Sequence, residues 1–361
     1  MRGFLFASPP FAQCHGATLA ALPDGGLAAA WFAGTREGSP DTAIWMCRRD
    51  GDSWSRPRVV AKSGDMAHWN PVLHPLPDGR LMLYYKVGKF PDSWDTYRVK
   101  LDQCGVAPRP PHILKSEDWP EGRMTPGPVR GKIVALSSGT LLAPSSIEKV
   151  LRKRLVGWSV VMDALWEAVI HRSTDGGRTW RAARVPYPRG EGELGGIIQP
   201  SQWEVAPGRA AALFRSTNGR LYRSESLDDG RTWSQASKTD IPNPNSAVDV
   251  ATGHGVVALA YNPTAGNWTR RTPLSVAFAR ADGASFHSRL DVEDDPAGSY
   301  SYPAIVATQS GFAMAYTWNR RLIAFREIAV RSALSIGSGD LVVGASASGG
   351  PEAYDFGRDA V

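Results

Sequence analysis

The stretch ATLAALPDGGLAAAWF, residues 17–32, sets two apolar runs of strand length on either side of a Pro-Asp-Gly-Gly turn. Such a turn needs a residue at positive φ, which glycine adopts without steric cost. The pattern returns as PVLHPLPDGRLMLYYK (71–86), KIVALSSGTLLAPSS (132–146) and PSQWEVAPGRAAALFRS (200–216). It returns twice more, as AVDVATGHGVVALAYN (247–262) and PAIVATQSGFAMAYTW (303–318). The turn glycines are Gly25, Gly79, Gly139, Gly208, Gly255 and Gly311. Runs of this length, rich in Val, Leu, Tyr and Trp, read as strands. Repeats roughly 50 to 70 residues apart leave room for one four-stranded antiparallel sheet each. The expectation is an all-β, six-bladed β-propeller of four-stranded blades. It would occupy 1–331 as a single domain, with a closing strand and a flexible, Gly/Ala/Ser-rich tail over 332–361.

Composition narrows the alternatives. The chain holds 37 Gly and 27 Pro among 361 residues, a share that helical bundles and coiled coils do not tolerate. Its 42% hydrophobic and 21% charged residues exclude a disordered chain. Length alone suggests two domains, but propellers run long as single ones. A formal charge of +6 is compatible with nucleic acid, an anionic membrane or an acidic substrate and selects none of them. The one dense basic run, Lys149 to Arg154, has no interleaved aromatics, so no nucleic-acid partner is expected. Three cysteines without a CxxC, and histidines without metal-ligand spacing, imply no metal; no phosphate-cradling glycine loop implies a nucleotide, so no cofactor is expected. No stretch approaches the ~18 apolar residues of a membrane span. Met1 to Gln13 reads as a poor signal peptide, which points to the cytoplasm, although a mature chain whose leader had been removed would read the same.

A second signature, S-x-D-x-G-x-x-W, spans Ser173 to Trp180 and Ser226 to Trp233, with degenerate copies ending at Trp54 and Phe286. Its physics is that of a hairpin turn. The carboxylate accepts local N–H bonds, the glycine takes the left-handed position, and the Trp packs between sheets. Asp175 and Asp228 are therefore read as structural.

The repeats also predict which residues share one end of the molecule. Residues eight to eleven before a turn glycine begin the innermost strand, and residues about seven after it end the next, so antiparallel pairing brings both sets together. The first set is Cys14, His15, His68, Trp69, Asn70, Gln199, Tyr300 and Tyr302; the second is Phe32, Lys86, Ser146, Arg215, Asn262 and Trp318. Inner-strand positions are normally apolar, so this polar and aromatic concentration marks a pocket. Loops leaving those ends add Arg36, Glu37, Asp41, Glu148, Arg270 and Arg271. Guanidinium groups around a cavity suit a carboxylate ligand, which Arg holds through two parallel N–H bonds. Trp69, Trp268 and Trp318 are the residues available to stack on sugar rings, though each has a core-packing reading too.

CHGATL (14–19), WFAGTREGSPD (31–41), HWNPVL (68–73), YYKVG (84–88), NPNSAVDV (243–250), YNP (261–263) and SYSYPA (299–304) carry a resemblance. From about residue 14 to 330 the chain resembles the sialidase superfamily, in its BNR/Asp-box repeat group. The resemblance implies an arginine triad on the substrate carboxylate, a Tyr nucleophile paired with a Glu, and an Asp acid/base. Residue by residue, Arg215 and Arg271 match the second and third arginines, Tyr300 the nucleophile and Asp41 the acid/base. Two positions depart: His15 stands where the first arginine belongs, and Gln199 where the Tyr-activating Glu belongs. A neutral amide cannot take a phenol proton, which leaves Glu37 or Glu148 as the partner of Tyr300.

Three functions follow as expectations. One is a sialidase-like exo-glycosidase acting on a carboxylated sugar, with Tyr300, Asp41, Glu37 and His15 catalytic and Arg36, Asn70, Lys86, Gln199, Arg215, Arg271 and Tyr302 binding the substrate. The second is a polysaccharide lyase that β-eliminates a uronate with Tyr or His as base. The third is a non-catalytic carbohydrate-binding propeller. The partner in each case is an acidic carbohydrate.

Overall fold

The computed structural model describes residues 2–114, 127–156, 159–280, 282–331 and 342–345. All six predicted hairpins are present, and all six turn glycines lie at positive φ, from 77° at Gly208 to 150° at Gly311. In chain order the strands are β1 (Arg2–Phe4), β2 (Gln13–Ala21), β3 (Leu27–Gly34), β4 (Ala43–Asp50), β5 (Ser53–Trp54) and β6 (Arg58–Ala61). There follow β7 (His68–Pro75), β8 (Leu81–Val87), β9 (Asp95–Leu101), β10 (His112–Leu114), β11 (Val134–Ala135), β12 (Leu141–Val156), β13 (Ser159–Ser173) and β14 (Arg181–Arg184). Next come β15 (Gly195–Ala206), β16 (Arg209–Ser216), β17 (Arg220–Ser226), β18 (Ser237–Pro242), β19 (Asp249–Gly253), β20 (Val256–Tyr261), β21 (Leu274–Arg280) and β22 (Phe286–Glu293). The last are β23 (Tyr300–Thr308), β24 (Gly311–Trp318), β25 (Leu322–Arg331) and β26 (Val342–Ala345).

The fold is all-β and built of antiparallel meanders, each opened by one of the six hairpins: β2–β6, β7–β10, β11–β14, β15–β18, β19–β22 and β23–β25. Among the described residues, backbone hydrogen bonds join these meanders into five sheets rather than six. The third and fourth merge because Leu165 and Trp166 of β13 pair, in parallel, with Gly195 and Gly196 of β15. Apolar clusters lie between successive meanders. One packs Leu19 and Trp31 of the first against Ala313 and Ile323 of the last. Others pair first with second, second with third, third with fourth, fourth with fifth, and fifth with sixth. The inner strands thus bury side chains on both faces, as β3 and β16 do along nearly their whole length, which explains why the runs read as apolar rather than strictly alternating.

β1 adds to the outer edge of β25, with Phe4 opposite Ala324, so the chain's opening residues complete the last meander. β26 pairs with the other half of the same edge, and the rest of the expected closing strand and tail over 332–361 lies outside the described residues.

The S-x-D-x-G-x-x-W loops act as clamps between meanders. Asp175 accepts from the N–H groups of Arg178 and Thr179 and from the hydroxyls of Ser173 and Thr179. Asp228 repeats the arrangement with Ser226 and Thr232. An arginine from the preceding meander then donates to a carbonyl of each loop: Arg98 to Gly177 (2.8 Å) and Arg172 to Asp229 (2.9 Å). Arg223 does the same to Gly283 of the degenerate third copy.

Candidate active site

Four inner strands carry the same irregularity at the same place. The β2–β3 register slips between His15 and Thr18, β7–β8 between Trp69 and Val72, β15–β16 between Ile198 and Ser201, and β23–β24 between Ser301 and Ala304. Within each bulge one residue takes positive φ: Gly16 (66°), Asn70 (45°), Gln199 (53°) and Tyr302 (53°). A bulge adds a residue to one strand and re-aims its side chain. Three of the four are not glycine, and side chains held at positive φ against their preference gather where geometry serves a function.

Tyr302 is the centre of the resulting cluster. Its Oη lies 2.9 Å from Nη1 of Arg215, which also donates to Oε1 of Gln199 at 3.0 Å. Nε of Arg215 is fixed by Oδ1 of Asn245 at 2.8 Å. The Arg271 guanidinium stands 5.5 Å from the Tyr302 ring centre and that of Arg130 5.0 Å away. Burial pushes the Tyr302 phenol up, but Arg215 and Arg271 more than offset it, so the phenol is held below its ordinary value. Burial likewise lowers Arg271, which forms no ion pair among the described residues. Three guanidinium groups therefore meet one phenol, and among the described residues no carboxylate is hydrogen-bonded to any of them.

His15 is buried beside Tyr302, with ring centres 4.1 Å apart, and its Nδ1 lies 3.0 Å from Oγ1 of Thr317. Burial, then the fields of Arg320, Arg271, Arg130 and Arg215, hold it neutral. Its Nε2 has no hydrogen-bond partner. Glu37 reaches the cluster from the loop after β3, where it pairs with Arg320 and where its charge acts on both Tyr302 and Arg271. Arg36 is exposed at the same mouth, in the cleft lined by Cys14, His15, Phe32, Glu37, Thr42 and Arg320. Trp268, 59% exposed, forms an aromatic wall with Trp166 edge-on at 6.2 Å; both rings lie 5.4 Å from the Arg215 guanidinium.

Three expected members lie elsewhere. Tyr300 packs in the core between the fifth and sixth meanders with Leu274, Ile305 and Tyr316, its hydroxyl against Gly298. The bulge reverses the parity of the strand, so Tyr302, not Tyr300, turns to the cluster. Lys86 is fully buried, bonded to Thr96 and beside His171, and burial lowers its ammonium to about 7. It shares a face of β8 with Tyr84, which packs between the second and third meanders. Asp41 is exposed and held by the N–H (2.7 Å) and hydroxyl (2.8 Å) of Thr35. The slight burial acts to raise its carboxyl, but those bonds outweigh it and keep the group ionised. His68, bonded through Nδ1 to the Met66 carbonyl and by Ser63 N–H at Nε2, is structural.

The sequence reading missed Arg130, Arg320, Asn245 and Trp166. One signal was available for Arg130. Gly16, Asn70, Arg130, Gln199 and Tyr302 each stand nine residues before the turn glycines Gly25, Gly79, Gly139, Gly208 and Gly311.

The all-β fold of meanders is similar to that of solved sialidases. A BNR repeat-like domain model matches residues 25–314, and the chain belongs to that family as a sialidase-like BNR-repeat protein. No curated protein matches the chain. Among solved structures it is similar to a protein of unknown function from Dyadobacter fermentans (TM-score 0.71, 17% identity, covering 90% of this chain and 96% of that one). It is also similar to the Hadza microbial sialidase Hz136 (TM-score 0.67, 13% identity, 87% and 65%). Trypanosoma rangeli sialidase in complex with the inhibitor DANA gives a TM-score of 0.63 at 15% identity, with 87% and 55% covered. The chain thus spans just under two thirds of the first of these sialidases and about half of the second.

Proposed function

We propose that the protein is a glycosidase acting on a carboxylated sugar, with Tyr302 as nucleophile. The six meanders are then the blades of a six-bladed propeller. Their apolar clusters, which run from each meander to the next and from the last to the first, support that reading. The observation that carries the function is the hydrogen bond from Arg215 to the Tyr302 oxygen beside Arg271, in a pocket whose cations are not neutralised. A substrate carboxylate supplies the missing charge, held by the guanidinium fork of Arg271 and by the remaining Nη2 of Arg215. That places the anomeric carbon next to Tyr302, whose oxygen, its proton lost to solvent, forms a bond to it as the bond to the leaving oxygen breaks. The surrounding guanidinium groups temper the phenolate charge beside a carbon that already bears a carboxylate.

The leaving oxygen needs a proton, and the loop after β3 offers two carboxyl groups. Glu37 faces Tyr302 and Arg271, whereas Asp41 is committed to Thr35. The reading therefore moves the acid/base role from Asp41 to Glu37, which takes a proton from solvent and hands it to the leaving oxygen. Water then releases the sugar, its proton returning to Glu37.

A second reading is favoured by Gln199. With an amide where a base would stand, Tyr302 as phenolate takes the proton next to a uronate carboxylate, and the product is unsaturated. A panel of acidic aryl glycosides and polyuronates separates the cases. Free carboxylated sugar without new ultraviolet absorbance supports hydrolysis; an absorbing unsaturated product supports elimination; saturable binding without turnover leaves a carbohydrate-binding propeller and overturns both.

A further inference from the structure

We propose that Arg130 is the positioning residue of Tyr302, holding two inner-strand bulges together from below and, with Arg215 and Arg271, stabilising the phenolate in place of a carboxylate base. This rests on Tyr302 being the reactive group of the site proposed above.

Arg130 is 2% exposed, in the segment that leads into β11. Its Nη1 donates to the Ala17 carbonyl at 2.8 Å and its Nη2 to the Pro303 carbonyl at 2.9 Å. Those carbonyls belong to the residues that directly follow Gly16 and Tyr302, the positive-φ residues of the first and last bulges. One guanidinium thus fixes the backbone on which Tyr302 is mounted and ties it to the strand carrying His15. Only a planar fork reaches two carbonyls from different meanders in this way; an ammonium is a point charge. Among the described residues the Nε has no partner, and Arg130 forms no ion pair. The neighbouring acid, Asp249, is taken by Lys132 at 2.7 Å, by the Ser201 hydroxyl and by the Ile305 N–H.

A buried cation with only neutral acceptors is costly unless a negative charge forms nearby. The Asp249 carboxylate supplies one such charge, and the Tyr302 ring, 5.0 Å from the Arg130 guanidinium, is the further group that can carry one toward it. The other groups facing Tyr302 are Arg215, Arg271, neutral His15, neutral Gln199 and, from the mouth, Glu37 paired with Arg320. Burial opposes ionisation, and among the charged groups Glu37 does so too. The proton leaves to solvent as pH rises, so no base is required and Gln199 is no handicap.

The test is a spectrophotometric titration of tyrosine ionisation in the whole chain, taken as wild type minus Tyr302→Phe to isolate one phenol. Wild type is expected to show that phenol ionising below the ordinary value of about 10. Arg130→Gln is expected to raise its proton affinity on the order of tenfold, one pH unit. Arg130→Lys, which keeps the charge but gives up a carbonyl bond, is expected to stay close to wild type. A wild-type phenol that titrates at or above 10 overturns the proposal, as does a folded Arg130→Gln whose trace coincides with wild type. Should Arg130→Gln fail to fold, Arg130→Lys decides: a lowered midpoint upholds the charge effect, and an ordinary one ends it. No substrate enters this measurement, so the acidic-sugar reading can fail while Arg130 stands, and the reverse.

Discussion

The S-x-D-x-G-x-x-W loops and the inner-strand bulges use similar residues to opposite ends. In the loops the carboxylates and the arginines that reach them close on neighbours, and only the buried indole N–H groups of Trp180 and Trp233 are left without an acceptor among the described residues. Asp175 takes four local donors, and Arg98 and Arg172 end on backbone carbonyls. At the bulges the pairing is incomplete. Among the described residues Arg271 has no ion pair and His15 Nε2 and Arg130 Nε have no partner, and Asn70, Gln199 and Tyr302 hold a backbone conformation they would not choose. Satisfied polar groups rigidify, while unmet ones are retained only where something arrives to meet them. Arginine therefore marks a joint in one region and a receiving site in the other.

The sharpest way to break this contrast is at the two tyrosines. Tyr302→Phe is expected to reduce turnover of an acidic glycoside by on the order of 10³-fold or more while leaving the melting temperature nearly unchanged. Tyr300→Phe, in the core, is expected to do the opposite: near-normal turnover with a lower melting temperature. Kinetics and thermal unfolding on the same preparations check both, and interchanged phenotypes would return the reactive role to Tyr300. Next in size, Arg271→Met should raise KM by roughly 100-fold, the worth of a lost bidentate carboxylate contact. The same variant should melt no lower than wild type, because a half-buried cation without an ion partner has been replaced by apolar volume. A clear fall in melting temperature would mean that Arg271 is a structural member after all.

The meanders were legible because a turn glycine between apolar runs is a local signal, and the structure finds all six where the pattern put them. Arg215, Asn70 and Gln199 were legible for the same reason, being at fixed offsets from those glycines. Tyr302 was assigned a lesser role than Tyr300 because period-2 reasoning assumes a regular ladder, and a bulge reverses parity. A cue existed in the Asn70-Pro71, Gln199-Pro200 and Tyr302-Pro303 pairs, since a proline cannot donate to the ladder and marks its interruption. Arg320 had no such cue. It sits at positive φ in the β24–β25 turn and reaches the site only because its carbonyl receives the Cys14 N–H across the first and last meanders.

The smallest expected effect lies at the loops. Asp175→Ala removes an acceptor from several donors at once and should cost about 1–3 kcal/mol of stability with no change in turnover. Its pH dependence separates this from general loosening. Slight burial acts to raise the Asp175 carboxyl, but hydrogen bonds from Thr179, Ser173 and Arg178 outweigh it and hold the group at about 2, below its ordinary 3.8. A group depressed on folding stabilises the native state when ionised. Its contribution is therefore complete above about pH 4 and is lost as pH falls through the folded value near 2. Denaturant unfolding of wild type and Asp175→Ala should show a gap that is constant from neutral pH to about 4 and narrows below it. A gap that stays constant down to the acid limit would show that the carboxylate charge is irrelevant, and that the loop is held by its Trp180 packing alone.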